Sequence, residues 1–334
     1  MDPATHALTG AILNRAGLNR LAPRMAPLAV VSSIWPDIDV LTMPFSSILY
    51  LEVHRGWTHA LALQPLQAAV LTLGWWWWAS RAGRVSLGQS LRAFFAALFC
   101  LLLHVFFDTW NVYGVRPFAP FSWEWVHFDW LHVFDLWVWL ILVIGLLAPL
   151  LARLVYTEIG ARGGSGAGAA WLALALFAGY VSGRAVLHGR AVAQASARIY
   201  EKETPRRVYA VPGPASLVRW KGVIETASAW HTVEIPLLRE FDPEAAETYY
   251  KPESRRFIEL AGNTRTGKVF LDFSKATAWR ITPAGTVDGA TEVRATDLRF
   301  GPPSEGAFSA EWLFGPQGNV LSETFAFQLG QTRR

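Results

Sequence analysis

Six of the eight histidines fall in the first 132 residues, beside aspartates and at the ends of long apolar runs: His6, His54, His59, His104, His127 and His132. The first 199 residues hold nine acidic side chains, and five of them, Asp37, Asp39, Asp108, Asp129 and Asp135, sit in the same places. Imidazole with carboxylate is the ligand set of zinc and similar divalent ions. Ionisable groups beside a bilayer are costly to bury and mark function.

Spacing sharpens several of these groups. In His104-Val-Phe-Phe-Asp108 the two polar side chains are four residues apart, so a helix puts them on one face. They could share a metal, or Asp108 could orient His104 from behind. In His54-Arg-Gly-Trp-Thr-His59 the histidines are five apart, and a turn at Gly56 is needed to bring them together. Thr58 reads as a helix N-cap with His59 in the first turn, and Arg55 as a clamp for an anionic substrate oxygen. Asp37 and Asp39 point to one side if extended, where they would hold a cation or share a proton. His6 is a ligand candidate on a short amphipathic helix at 5–18. Asp129, His132 and Asp135 recur every three residues and read as a stripe opening a helix, with Asp135 deepest. His127 reads as interfacial, and His188 and His231 as structural. The stretch 111–122, with Arg116, reads as a site wall or as a plain connecting loop.

Four apolar runs, at 60–80, 91–107, 131–155 and 169–187, approach the length needed to cross about 30 Å of hydrocarbon. A weaker run at 26–41, broken by Pro36, reads as re-entrant or interfacial. Arginines flank the runs and tryptophans cluster at 75–78, as in an aromatic belt. No cleavable signal peptide is visible. Cys100 is the single cysteine and excludes an intramolecular disulfide. The arginine-bearing loops (Arg81, Arg84, Arg92; Arg153, Arg162) read as cytoplasmic, which leaves the site and the C-terminal domain periplasmic. Alternating topology then gathers the clusters at 54–59, 104–108 and 129–135 on one membrane face.

The expected fold is therefore a mainly α, polytopic membrane domain over 1–199, with about four transmembrane helices plus N-terminal re-entrant and amphipathic helices. A β-rich soluble domain follows over 200–334. There the charge rises, and strands are expected at 207–211, 217–224, 230–235, 268–273, 278–281, 291–299, 310–314 and 324–329. A helix is expected near 244–260. The basic pI of about 9.3 comes largely from membrane-flanking arginines and does not point to nucleic acid.

The order of His6, Pro36-Asp37-Ile38-Asp39, His54-Arg-Gly-Trp-Thr-His59, His104-Val-Phe-Phe-Asp108, Tyr113-Gly114-Val115 and Asp135 resembles the bacterial inner-membrane family of metal-dependent hydrolase type typified by YdjM. The resemblance covers about 1–150. A remoter similarity, on short motifs, is to the class of zinc-dependent phospholipase C and single-strand nucleases. It implies His104 and Asp108 as ligands, with His59 and Asp37 beside them.

Together these readings lead to an expectation of a multi-pass inner-membrane hydrolase with one or more divalent ions, zinc or manganese. The metal ligands are expected among His6, Asp37, His54, His59, His104, Asp108 and Asp135. Asp39 or Asp135 is the expected general base, Arg55 the anion clamp, and a membrane lipid ester or phosphoester the substrate. The alternative is a non-catalytic, metal-stabilised membrane scaffold whose C-terminal domain binds a protein partner.

Overall fold

A computed structural model describes residues 1–158, 166–285 and 288–327 of the chain. The chain divides into two compact units, Met1–Asp39 with His54–Val186, and Val40–Val53 with Leu187–Arg334.

The first unit is helical. Helix α1 (Pro3–Ala16) starts on Asp2, whose carboxylate accepts the Thr5 N–H, with proline at the first helical position. It packs on α2 (Met25–Ile34) through Gly10, where a Cβ would stand 2.7 Å from the Ala29 carbonyl oxygen. Only glycine permits that approach. At Trp35 the α-helix tightens into a 3-10 helix, Trp35–Thr42, because Pro36 has no N–H to continue the ladder. Later in the chain come α4 (Gln64–Ser80), α5 (Leu87–Asp108), α6 (Leu136–Glu158) and α7 (Ala167–Ser196). The short α3 (Ser47–Val53) belongs to the second unit. Ser86 and Gln89 close a reciprocal capping box on α5. One apolar core joins α1, α6 and α7 through Ile12, Leu142 and Phe177, and another joins α2, α4 and α5 through Leu28, Trp75 and Leu101.

Among the described residues three helical stretches are long and apolar enough to cross a membrane: Leu87–Asp108, Leu136–Leu154 and Ala167–Ser196. The expected count of about four is not reached among these residues. The run at 60–80 is preceded and opened by 3-10 turns, Trp57–His59 and Leu61–Leu63, which leaves α4 with 17 residues, at the lower end of the roughly 17–25 that spans use. The expected stripe of Asp129, His132 and Asp135 is also absent, because 127–135 is a loop and α6 starts at Leu136. The glycine-rich linker expected at 160–168 lies partly, and its Arg162 wholly, outside the described residues.

The second unit holds two four-stranded antiparallel meanders. The first runs β1 (Arg207–Pro212), β2 (Arg219–Glu225), β3 (Ala229–Pro236) and β4 (Glu247–Tyr250). The second runs β5 (Thr277–Pro283), β6 (Thr291–Asp297), β7 (Ser309–Phe314) and β8 (Val320–Ala326). Trp220, Ile224 and Ile235 build the first core, with Ala191 and Ala195 from the end of α7. Two sequence expectations are corrected. The helix expected over 244–260 is strand β4 followed by α8 (Arg256–Asn263), and the strand expected over 268–273 is helix α9 (Arg265–Phe273). Thr264 caps α9 by accepting the Gly267 N–H. Gly267 permits the tight α8–α9 corner, since a Cβ there would lie 1.9 Å from the Ala261 carbonyl oxygen.

Candidate metal centre

Asp37, His59, His104 and Asp108 converge, each offering one ligand atom, and these atoms lie within 4.8 Å of one another. All four residues are buried. Each arrives on a different kind of support. His104 and Asp108 share one face of α5 at its last turn. Asp37 comes from the 3-10 helix after α2, and His59 ends the short turn Trp57–His59. The two Nε2 atoms of His59 and His104 stand 3.1 Å apart. Asp108 Oδ2 is 3.2 Å from His59 Nε2 and 3.3 Å from His104 Nε2, and Asp37 Oδ1 is 3.5 and 3.6 Å from the same two atoms. Donors bonded at about 2.0–2.2 Å to a common ion lie roughly 3–3.6 Å from one another, so the set fits a divalent metal.

The surrounding hydrogen bonds fix which ring nitrogens carry protons. His104 Nδ1 is 2.6 Å from the Ser33 carbonyl oxygen, an acceptor only, so Nδ1 donates and Nε2 bears the lone pair. Thr58 donates its hydroxyl to Asp39 Oδ2 at 2.8 Å, so its oxygen accepts from His59 Nδ1 at 2.9 Å. His59 Nε2 is then also a lone pair. Two imidazole lone pairs and two carboxylate oxygens facing one another repel unless a cation lies among them. Asp37 Oδ2 and Asp108 Oδ2 are buried and accept no hydrogen bond, which agrees with the same need.

Electrostatics keep the centre in its ligating form. Burial pulls the His59 imidazole down to about 3, so it is neutral at physiological pH. Burial, then the neighbouring His104, holds His6 well below its ordinary value. Burial by itself would raise the Asp37 carboxyl, but His104 and His59 beside it outweigh that and hold it well below the usual carboxylate range.

The other predicted residues divide into support and outliers. Asp39 does not face Asp37's way: a 3-10 turn replaces the extended segment, and Asp39 accepts from His54 Nδ1 at 2.7 Å, from the Arg55 N–H at 2.9 Å and from Thr58. Thr58 is therefore not the N-cap that its sequence position suggests, because its hydroxyl ties His59 to Asp39. His6 stacks on His104 with ring centroids 3.7 Å apart and reaches Asp108 Oδ1 at 3.3 Å. Arg55, expected to clamp substrate, is buried and turned inward. It pairs with Asp108 Oδ1 at 3.0 Å and donates to Asn111 Oδ1 and to the Gly114 and Met1 carbonyls.

Asp135 is not in the four-residue group. It accepts the Trp137 and Val138 N–H groups at the start of α6 and the Tyr180 hydroxyl at 3.0 Å, and burial raises its carboxyl. His127 pairs with Asp129 at 2.8 Å, and His132 meets the Phe134 carbonyl, both in the loop before α6. Sequence reasoning missed two contributors, the Ser33 carbonyl and the Met1 amine against Asp108, and named Asn111 only as the start of the stretch 111–122. Asn111 donates to Asp108 Oδ1 at 3.4 Å and accepts the Tyr113 and Gly114 N–H groups. Asn111 follows the His104–Asp108 motif by three residues, a proximity that points to it in the sequence beside the site-wall reading of 111–122.

The chain is 24% identical over 313 residues to the uncharacterized protein YfhP of Bacillus subtilis (strain 168), covering 90% of this chain and 87% of that one. No solved structure matches it significantly. The description "YdjM inner membrane protein" fits residues 1–191, which include the four convergent ligand candidates and all three apolar helices up to most of α7. The chain belongs to the YdjM inner membrane protein family.

Proposed function

We propose that the protein is a multi-pass, membrane-bound metal-dependent hydrolase acting on an ester or phosphoester of a lipid or membrane-associated substrate. The observation that carries this reading is the convergence of His59 and His104 lone pairs with Asp37 and Asp108 oxygens beside an Asp39–His54 pair. A divalent ion there, zinc or manganese, supplies Lewis acidity and makes water acidic enough to ionise near neutral pH. Asp39 takes the Nδ1 proton of His54 as a hydrogen bond, which leaves Nε2 as the basic nitrogen and suits His54 to accept a proton from water. His54 thus replaces Asp39 and Asp135 as the favoured general base. Arg55 neutralises Asp108 and holds it in register, a positioning role. The site and the C-terminal domain face the periplasm in this reading, following the arginine-rich loops on the other side.

One observation favours a second reading, the metal-stabilised scaffold. Four buried protein donors can close a four-coordinate shell, as structural zinc sites do, whereas hydrolysis needs a further open position. Turnover of generic phosphodiesters and carboxyl esters by the detergent-purified protein decides between them. Hydrolysis that disappears in His104→Ala, and in His54→Ala with metal retained, supports the enzyme. Stoichiometric metal with no turnover on any such ester supports the scaffold, with the C-terminal domain as its partner-binding part.

A further inference from the structure

We propose that an aromatic patch on the segment joining α5 to α6, together with the turn after His54, is a lipid-contacting surface at the boundary of headgroups and hydrocarbon. Its exposed side chains are Trp57, Leu61, Phe118, Phe121 and Trp123, with Phe121 87% and Phe118 54% exposed. Contiguous exposed apolar surface of this kind marks an interaction site.

The members form one surface. The rings of Trp57 and Trp123 meet edge to face at 5.3 Å, and the Leu61 N–H donates to the Pro117 carbonyl at 2.9 Å. The Phe121 N–H donates to the Phe118 carbonyl at 2.9 Å, which fixes the turn that presents both phenylalanines. Buried Arg116 lies beneath, its guanidinium 4.3 Å from the Trp125 ring and 5.8 Å from that of Trp123. The Arg116 N–H donates to the Arg55 carbonyl at 2.9 Å, and Arg55 contacts Asp108 and Asp39. The patch is therefore hung on the same backbone that frames the metal centre.

A lipid surface is the occupant because the patch continues the apolar helices. α5 ends at Asp108 and α6 begins at Leu136, and each is long and apolar enough to cross a membrane. The chain between them emerges at the level of the helix ends, where aromatic rings with an arginine underneath are the composition that bilayer interfaces favour. None of the five exposed members is charged, and the exposed Glu124 beside Trp123 falls at the polar edge of the patch.

Depth measurement by spin labelling tests this on the full chain in phosphatidylcholine–phosphatidylglycerol vesicles. Labels are placed at Phe118→Cys and Phe121→Cys, with Leu140→Cys on α6 as the lipid-facing reference. Buried Cys100 is checked by labelling the unsubstituted protein. Unfolding temperatures matching the parent protein show that each variant is folded. The expected result is greater accessibility to oxygen than to a water-soluble nickel chelate at both positions, at a depth between that of Leu140 and bulk water. Nickel accessibility equal to that of a free aqueous label would overturn the proposal. So would protection from both quenchers, which would indicate a protein covering the patch instead.

Discussion

The Nε2 atoms of His59 and His104 face each other at 3.1 Å although the residues are 45 positions apart in sequence. Neither imidazole can turn away. His104 is held from behind by the Ser33 carbonyl and His59 by the Thr58–Asp39 relay. Outer hydrogen bonds of this kind fix ring orientation and tautomer around metals.

Metal content follows directly. Wild-type protein purified without chelators should hold a divalent ion at stoichiometry near one per chain, and His104→Ala or Asp37→Ala should lose it. Elemental analysis of the three proteins checks this. Retention of metal in His104→Ala would remove the assignment.

Asp135 offers the contrasting case. Since it caps α6 and binds Tyr180 outside the four-residue group, Asp135→Ala should keep its metal. Loss of the cap should still lower stability by about 1 kcal/mol. Elemental analysis beside thermal unfolding in detergent separates the two effects, and metal loss in this variant would place Asp135 in the centre after all.

Arg55 is buried against Asp108 with further donors committed to carbonyls. Arg55→Ala leaves Asp108 without its guanidinium partner, and removing one member of a buried pair costs roughly 3–5 kcal/mol. A fall in unfolding temperature well beyond that of Asp135→Ala is expected. A change no larger than in Asp135→Ala would show that Arg55 is not holding Asp108.

Gly10 tests coupling between packing and the centre. A methyl group there would press on the Ala29 carbonyl and on Ser33 Oγ, each at 2.7 Å, and Ser33 supplies the carbonyl that orients His104. Gly10→Ala should cost about 1–3 kcal/mol through overpacking and should weaken metal affinity as well. A chelator-competition titration reads the second effect, and unchanged affinity would mean that α2 absorbs the strain without moving Ser33.

Acid should destabilise the metal-stripped protein early. His6, His54 and His59 are all held below their ordinary 6.5 by burial, so below that pH the unfolded chain binds protons that the folded one does not. Stability therefore falls as pH drops through 6.5, by up to about 1.4 kcal/mol per pH unit for each histidine, and for His59 the loss continues toward about 3. The Asp37 and Asp39 carboxylates, held below their ordinary 3.8, add nothing to the slope above that value. Thermal unfolding of stripped protein at pH 7, 6 and 5 measures it, and a flat profile would mean that these histidines are not buried neutral.

The sequence by itself determined part of the candidate metal centre and the broad architecture. The four-residue spacing of His104 and Asp108 places both on one face of any helix, and α5 is that helix. Apolar length predicted three of the spans, and alternation with turns predicted most of the strands, because both signals come from local periodicity and burial. Where local signals competed, they misled: cap chemistry at Thr264 and a glycine corner at Gly267 made 265–273 a helix where apolar content suggested a strand.

Only the tertiary structure decided which candidates meet. Asp37 and Asp39 stand two residues apart, yet a 3-10 turn sends one to the centre and the other to His54 and Thr58. Arg55 looked like a free cation and became Asp108's partner, while Asp135 looked central and became a helix cap. These outcomes depend on contacts between residues as far apart as Met1, Arg55, Asp108 and Asn111. The energy of burying each charge is set by partners that sequence spacing does not reveal.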